Sequence, residues 1–401
     1  MHRRTFLSLA AASVASPASA ADPKEKVRIV SSLPRTGAAK TQAGGIVNAI
    51  KMALADFEKD VPFEVELVDR DNADAKNGYW SAEKEAENAR IAAEGKDVVA
   101  YVGPYHSGAA KVSMPVLNRA GLVQVSPAAS WPGLTRRAPS ADPDEPEKYR
   151  PAKRITFCRV CPNDATQGPF SADFAADELK AKSVYVLDDK ELYGLGVASL
   201  FQKRCEERKV KVLGRESVRP KQSDFTDLLK KIKEKNPDLI YFGGTTATGG
   251  GRIARAMKAE GVECPLLAPD GCYEQAFIAS AGKDALEVVK CFVTAPGINP
   301  ADLKGRGAEF VNRYKEKYGQ EPGYYAPYGY EAAAVILAAL RAAGKNDREA
   351  IRKAVVGTKD FDGGVLGEWR FDPSGDTTHQ PLTVTTVEDG KFKLVKVMGV
   401  K

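Results

Sequence analysis

Histidine is scarce in this 401-residue chain, with His2, His106 and His379 its three examples. A serine hydrolase needs an imidazole as general base, so two histidines beyond the N-terminus leave that chemistry little to work with. The signatures G-x-S-x-G, H-E-x-x-H and the phosphate-binding P-loop are also missing. No apolar run reaches the roughly 20 residues that span a bilayer. A dominant charge sign is lacking too. Lys and Arg number 59 against 53 Asp and Glu, and the +6 balance includes Arg3 and Arg4. The charges are interspersed, which gives neither nucleic acid nor a membrane surface a basic face to hold. A hydrophobic share of 43% and a charged share of 28% are ordinary for a soluble globular protein, and the length suits two or three domains.

Six cysteines are present, at 158, 161, 205, 264, 272 and 291. In an oxidising compartment they are able to pair, with a connectivity that sequence does not fix. Cys158-x-x-Cys161 has no second pair or nearby histidines to complete a zinc site. It lies on a strand, ITFCRV, and does not open a helix as a thioredoxin-like redox motif would. No metal and no cofactor is expected. Gly249-Gly250-Gly251-Arg252-Ile253-Ala254 fits the dinucleotide pattern G-x-G-x-x-A, but Thr245–Thr248 separate it from its strand, where that motif must begin. Residues 1–20, MHRRTFLSLAAASVASPASA, read as an export signal. They have a basic start, a short apolar region and cleavage after Ala20, and Arg3-Arg4 is twin-arginine-like. The expected location is the periplasm.

From Val27 onward, apolar strands alternate with helices of 3.6-residue period, such as the one carrying Ile46, Ala49, Ile50, Ala53, Leu54 and Phe57. That alternation predicts an α/β fold with a mostly parallel, doubly wound sheet and helices on both faces. A Pro-rich, charged stretch, Thr135 to Arg154, breaks the rhythm as a surface excursion. Within Val99 to Ser130, a buried strand ends at Gly103-Pro104 and Ser107 stands at the N-cap of a helix. After Gly121, a second strand ends in Ser126-Pro127-Ala128-Ala129-Ser130. Ser107 and Ser130 therefore sit beyond the carboxyl ends of adjacent strands, where open α/β sheets bind ligands. The N-terminus of the helix beside Ser107 favours an anion such as a carboxylate.

The segments GPYHSG and SPAAS at this spacing, with L-P-x-T-G after the first strand, resemble the periplasmic binding proteins of branched-chain amino acid ABC transporters, of type I fold. The resemblance implies two α/β lobes with a ligand cleft between them. It places lobe 1 at 21–148 and 297–381, and lobe 2 at 149–296 and 382–401. It implies that Ser107 and Ser130 hold a ligand carboxylate, and that the Ala128 carbonyl and Asp270 hold its ammonium. Tyr193 would pack over the ligand from the second lobe. Thr245 and Tyr325 match further contact positions, and Tyr105 and Trp131 flank the serines. His106 reads as a satisfied loop histidine. A zwitterion taken out of water needs a counter-charge at each end, because an unpaired buried charge is very costly. The family normally carries Glu where this chain has Asp270. A membrane permease is the implied partner, the implied state a monomer that closes about a hinge, and the implied role binding and not catalysis. An amide, urea or aromatic carboxylate as ligand, a sensor role, and an exported redox protein stay open as alternatives.

Overall fold

A computed structural model describes residues 24–398, apart from 77, 139, 140 and 220. The expected export signal lies outside the described residues. The chain opens with β1 (Glu25–Leu33), α1 (Lys40–Phe57) and β2 (Phe63–Asp71). A short pair, β3 (Ala73–Asp74) and β4 (Tyr79–Trp80), leads to α2 (Ala82–Glu94), β5 (Val98–Val102), α3 (Ser107–Arg119), β6 (Val123–Ser126) and β7 (Phe157–Arg159). The first sheet has the order β2-β1-β5-β6-β7, parallel throughout. Successive side chains point to opposite faces. Ile29 and Val99 thus join the core beneath α1, while Val30 and Tyr101 pack with Ala89, Ala92 and Leu117 of α2 and α3. Covered on both faces, β5 is buried at every position and reads as an unbroken apolar run.

The second sheet follows, with α4 (Asp164–Asp177), β8 (Ser183–Asp188), α5 (Leu192–Glu207), β9 (Lys211–Ser217), α6 (Thr226–Lys235) and β10 (Leu239–Gly243). Next come α7 (Gly250–Glu260), β11 (Leu266–Ala268), α8 (Gln275–Ala281), α9 (Lys283–Leu286) and β12 (Cys291–Pro296). The chain then returns to the first lobe as α10 (Arg306–Tyr318), α11 (Ala326–Ala343) and α12 (Arg348–Val356). It finally crosses back as β13 (Leu382–Glu388) and β14 (Lys391–Met398). The order is β14-β13-β12-β11-β10-β8-β9, parallel from β9 to β12 and antiparallel beyond. The two-lobed, mostly parallel α/β architecture expected from the sequence is the one found.

Two local expectations change. β7 pairs with β6, so the chain leaves the first sheet after Arg159 and not at 148. The stretch from 135 to 154 is also less of a surface excursion than its composition suggests. Glu145, only 1% exposed, accepts hydrogen bonds from Trp131 Nε1 at 2.9 Å and Tyr149 Oη at 2.6 Å, and pairs with Lys111 at 2.8 Å. A buried carboxylate needs such partners, and they pin the loop to the body.

The crossing beside β7 is tied by charge. Arg159 is fully buried and donates through Nε to Asp376 Oδ1 at 2.7 Å, and through one terminal nitrogen to the Ala129 and Trp131 carbonyls at 3.0 and 2.8 Å. Asp376 Oδ2 accepts from Asn163 at 2.9 Å and Thr135 at 3.1 Å.

The cysteines form no disulfides: all six are unpaired, five of them buried. Burial holds the thiols above their ordinary pKa, Cys205 and Cys291 at about 12 and Cys264 at about 11. Because the thiolate is the reactive form, a colorimetric thiol reagent at neutral pH should label the native protein slowly and detect all six cysteines once it is unfolded. Rapid labelling of several thiols in the native state would contradict this burial. The Gly249–Gly251 run has a packing role. A Cβ at Gly250 would lie 2.5 Å from Cys272 Sγ, and one at Gly251 would lie 2.4 Å from the Phe277 carbonyl, so the glycines let α7 close on α8. Among the described residues no cluster suited to a metal is present and no helix is long and apolar enough to cross a membrane.

Candidate functional site

Within each sheet the parallel strands follow one order, the second strand outside the first and the third on its other side. Connections reverse direction between β1 and β5, and again between β8 and β10. Ligands bind at such switch points, beyond the carboxyl ends of the strands. The loops after β5, β6, β8, β10 and β11 meet there around a small cavity. Its first-lobe wall is Tyr79, Tyr105, His106, Ser107, Ala128 and Tyr325; Tyr193, Thr245, Asp270 and Gly271 face them from the second. A larger cleft opens between α1 and α10. Two of its arginines are already engaged, Arg313 by Asp56 and Arg306 by the carbonyls of Asp362 and Gly363 at 2.8 and 3.1 Å.

The cavity has two poles. At one, Ser107 is the first residue of α3 and His106 is the cap, one position earlier than expected. The Ser107 hydroxyl accepts the Trp131 N–H at 3.1 Å, which joins the two loops. First-turn N–H groups have no partner inside their own helix and carry the positive dipole end. Ser126 Oγ accepts the Ala129 N–H at 2.9 Å and donates to the Pro104 carbonyl at 2.8 Å, so the loop bearing Ala128 is held fast.

At the other pole, Asp270 is 3% exposed. Tyr193 Oη donates to its Oδ1 at 2.6 Å, and Tyr325 Oη donates to Oδ2 from the opposite lobe. Burial raises the Asp270 carboxyl, while the two tyrosine hydroxyls and Gln167 pull it back. Neither Lys nor Arg is in the cavity wall. More acid lies around it. Burial lifts Asp189, which accepts from Thr248 at 2.7 Å, to about 7, and Glu274 also to about 7. The His106 ring is driven down to about 3 by burial alone, so it is a neutral imidazole at physiological pH. It packs on Tyr79 and Tyr105 at ring separations of 4.7 and 5.0 Å.

Seven of the residues singled out from the sequence therefore line one cavity: Tyr105, Ser107, Ala128, Tyr193, Thr245, Asp270 and Tyr325. Ser130 and Trp131 are placed differently. Ser130 is 2% exposed, and its carbonyl accepts the Asp164 N–H at 3.0 Å. Trp131 is buried in a cluster with Met114, Leu134 and Tyr149, and its ring seats α5 at Gly196, where a Cβ would lie 2.3 Å from it. His106 is not the satisfied loop histidine expected, for its buried Nδ1 has no partner. Sequence reasoning missed Tyr79, which opens the two-residue β4 with no pattern to mark it.

Residues 26–391 match the profile of the periplasmic binding protein family. The chain belongs to this family. Among relatives of this periplasmic binding protein is the Leu/Ile/Val-binding protein homolog 1 of Brucella abortus, 28% identical over 81% of the chain and 80% of the relative. The leucine-, isoleucine-, valine-, threonine- and alanine-binding protein of Pseudomonas aeruginosa is 28% identical over 71% of the chain and 70% of its own length. The crystal structure of a leucine binding protein, LivK, from Thermotoga maritima superposes with a TM-score of 0.81 at 29% identity, covering 93% of this chain and 98% of that one. A Rhodopseudomonas palustris solute binding protein in complex with 3,4-dihydroxybenzoic acid shares the fold, with a TM-score of 0.76 at 21% identity over 93% and 97% of the two chains.

Proposed function

We propose that this protein is the periplasmic solute-binding component of an ABC importer, and that it takes a small α-amino acid between its lobes for delivery to a membrane permease. The observation that carries the reading is the two-pole cavity, with an acid at one end, a hydroxyl and a helix N-terminus at the other, and no cationic side chain in the wall. A zwitterion matches both poles. Its carboxylate would lie on Ser107 and the α3 N–H groups. Its ammonium would lie on Asp270 and the Ala128 carbonyl, with Ser130 behind. Lobe closure about the crossings near Arg159, Pro296 and Leu382 would bring Tyr193 and Asp270 over the ligand, and the closed form would be what the permease recognises. Residues 1–20 would be removed on export. The relatives' names support an amino-acid ligand.

A second reading, an aromatic carboxylate, draws on the rings of Tyr79, Tyr105, Tyr193 and Tyr325. The buried acid at Asp270 opposes it, because a ligand without an ammonium leaves that carboxylate uncompensated.

The test is a thermal-shift screen of protein stripped of ligand by unfolding and refolding. A ligand at 100 times its Kd stabilises the fold by about 2.7 kcal/mol, which is visible as a rise in Tm. Shifts confined to α-amino acids are the expected result. Shifts confined to benzoate-type acids, amides or urea would retire the amino-acid reading, and silence across the panel would favour a sensor of some other ligand.

A further inference from the structure

Ser107 and Asp270 answer the two charged ends of an α-amino acid, and what remains of such a ligand is its side chain. The wall has one atom left over in the same way. Among the described residues, His106 Nδ1 is the one side-chain polar atom of the wall that is buried and has no hydrogen-bonding partner. Its neighbours at the two poles are engaged within the protein. Ser107 accepts the Trp131 N–H, Tyr193 and Tyr325 donate to Asp270, and Thr245 Oγ1 lies 3.1 Å from Thr248 Oγ1. His106 is only 9% exposed, and three rings fix its own: Tyr79 at 4.7 Å, Tyr105 at 5.0 Å and Trp80 at 6.3 Å between centres. Trp80 is itself seated on the first turn of α3, where a Cβ at Gly108 would lie 2.5 Å from its ring. An imidazole held on three sides has little freedom to turn toward a partner elsewhere. Burial keeps it neutral at physiological pH, so it offers one N–H donor and one bare nitrogen acceptor. Buried polar atoms without partners are rare and costly.

We propose that His106 determines specificity by hydrogen-bonding the ligand's side chain, and that the ligand is an α-amino acid with a short, neutral side chain bearing a hydroxyl or an amide. The inference rests on the amino-acid reading above. With the carboxylate on Ser107 and the ammonium on Asp270, the side chain is the part of a small amino acid left to meet His106. A hydroxyl both donates and accepts, and a carboxamide has a donor end and an acceptor end. Either group therefore answers Nδ1 in either tautomer of the ring. A hydrocarbon side chain keeps water from Nδ1 and returns no bond. A charged side chain adds a third charge to a wall that holds one acid and neither Lys nor Arg, and an unpaired buried charge is very costly. A site built to hydrogen-bond a ligand rejects the analogue that lacks the bond more strongly than an apolar pocket rejects an added hydroxyl.

Calorimetric titration of the wild-type protein, stripped of ligand, tests this with the common L-amino acids, among them two matched pairs. Threonine and valine differ by a hydroxyl in place of a methyl group, and asparagine and leucine by a carboxamide in place of an isopropyl group. The expected result is that in at least one pair the polar member binds about tenfold or more tighter than its apolar counterpart. His106→Phe keeps a ring among Tyr79, Trp80 and Tyr105 and removes both nitrogens, and in it that preference should disappear. The ratio within a pair reads the side-chain contact alone, because a general loss of binding lowers both members together. If His106→Phe does not fold, the wild-type ratios still decide. Valine and leucine bound as tightly as threonine and asparagine, binding confined to apolar or charged amino acids, or a polar preference that survives in folded His106→Phe overturns the inference and leaves the amino-acid reading intact. Binding of no amino acid overturns that reading, and the inference with it.

Discussion

Replacing Asp270 by Ala should weaken amino-acid binding by at least a hundredfold. The cavity wall holds Asp270 and neither Lys nor Arg, so on the amino-acid reading Asp270 is the counter-charge of a bound ammonium. Truncating one partner of a buried, hydrogen-bonded charge pair costs about 2–5 kcal/mol in binding, and about 2.8 kcal/mol is a factor of a hundred. The carboxylate already accepts from Tyr193 and Tyr325. Its two oxygens offer about four lone-pair positions, so a third donor fits beside the two hydroxyls. Those hydroxyls hold the acid in place, and Tyr193→Phe should therefore cost less than Asp270→Ala. Asp270→Asn separates the ligand classes, since amino acids should lose affinity and acids without an ammonium should gain. Calorimetry on the three variants reads these differences. An Asp270→Ala protein that binds amino acids like the wild type would remove Asp270 from the ammonium site.

Asp376→Ala should lower unfolding stability by about 3–5 kcal/mol, the cost of leaving one member of a buried ion pair unpartnered. Arg159 is fully buried against it. Without Asp376, the guanidinium keeps the Ala129 and Trp131 carbonyls and the Thr135 hydroxyl but no negative charge. Asn163, at the cap of α4, and Arg136 lose the same acceptor. The comparison variant is Asp372→Ala. Its carboxylate also pairs with Arg136 but is 30% exposed, so its ion pair with Arg136 should contribute at most about 1 kcal/mol. Urea unfolding of both variants settles the ranking, and a loss below about 1 kcal/mol for Asp376→Ala would mean that the pair is dispensable. Arg159 also holds the carbonyls on either side of Ser130, so ligand affinity should fall along with stability.

The parts of the fold legible in the amino-acid sequence are those with a strong local pattern. β5, α3 and β6 announce themselves because a strand buried on both faces has no polar position, and because Ser107 and Gly121 punctuate the helix between. β7 is legible as a strand, ITFCRV, but only its pairing with β6 assigns it to the first sheet. Trp131 follows a ligand loop in sequence, yet its bulk is better buried against Gly196 than presented to a cavity, a choice made by a helix 65 positions away. The two-pole logic of Ser107 and Asp270 is accessible from sequence because both lie at strand ends.

The six unpaired cysteines set a condition on how this chain reaches its fold. Six thiols admit fifteen complete pairings, and the native state contains none of them. In oxidising surroundings every covalent sulfur link made by the unfolded chain is an error, with no correct product toward which exchange can lead. Maturation is therefore a race between burial and oxidation, and reductant during refolding protects the yield where for a disulfide-stapled protein it would destroy it.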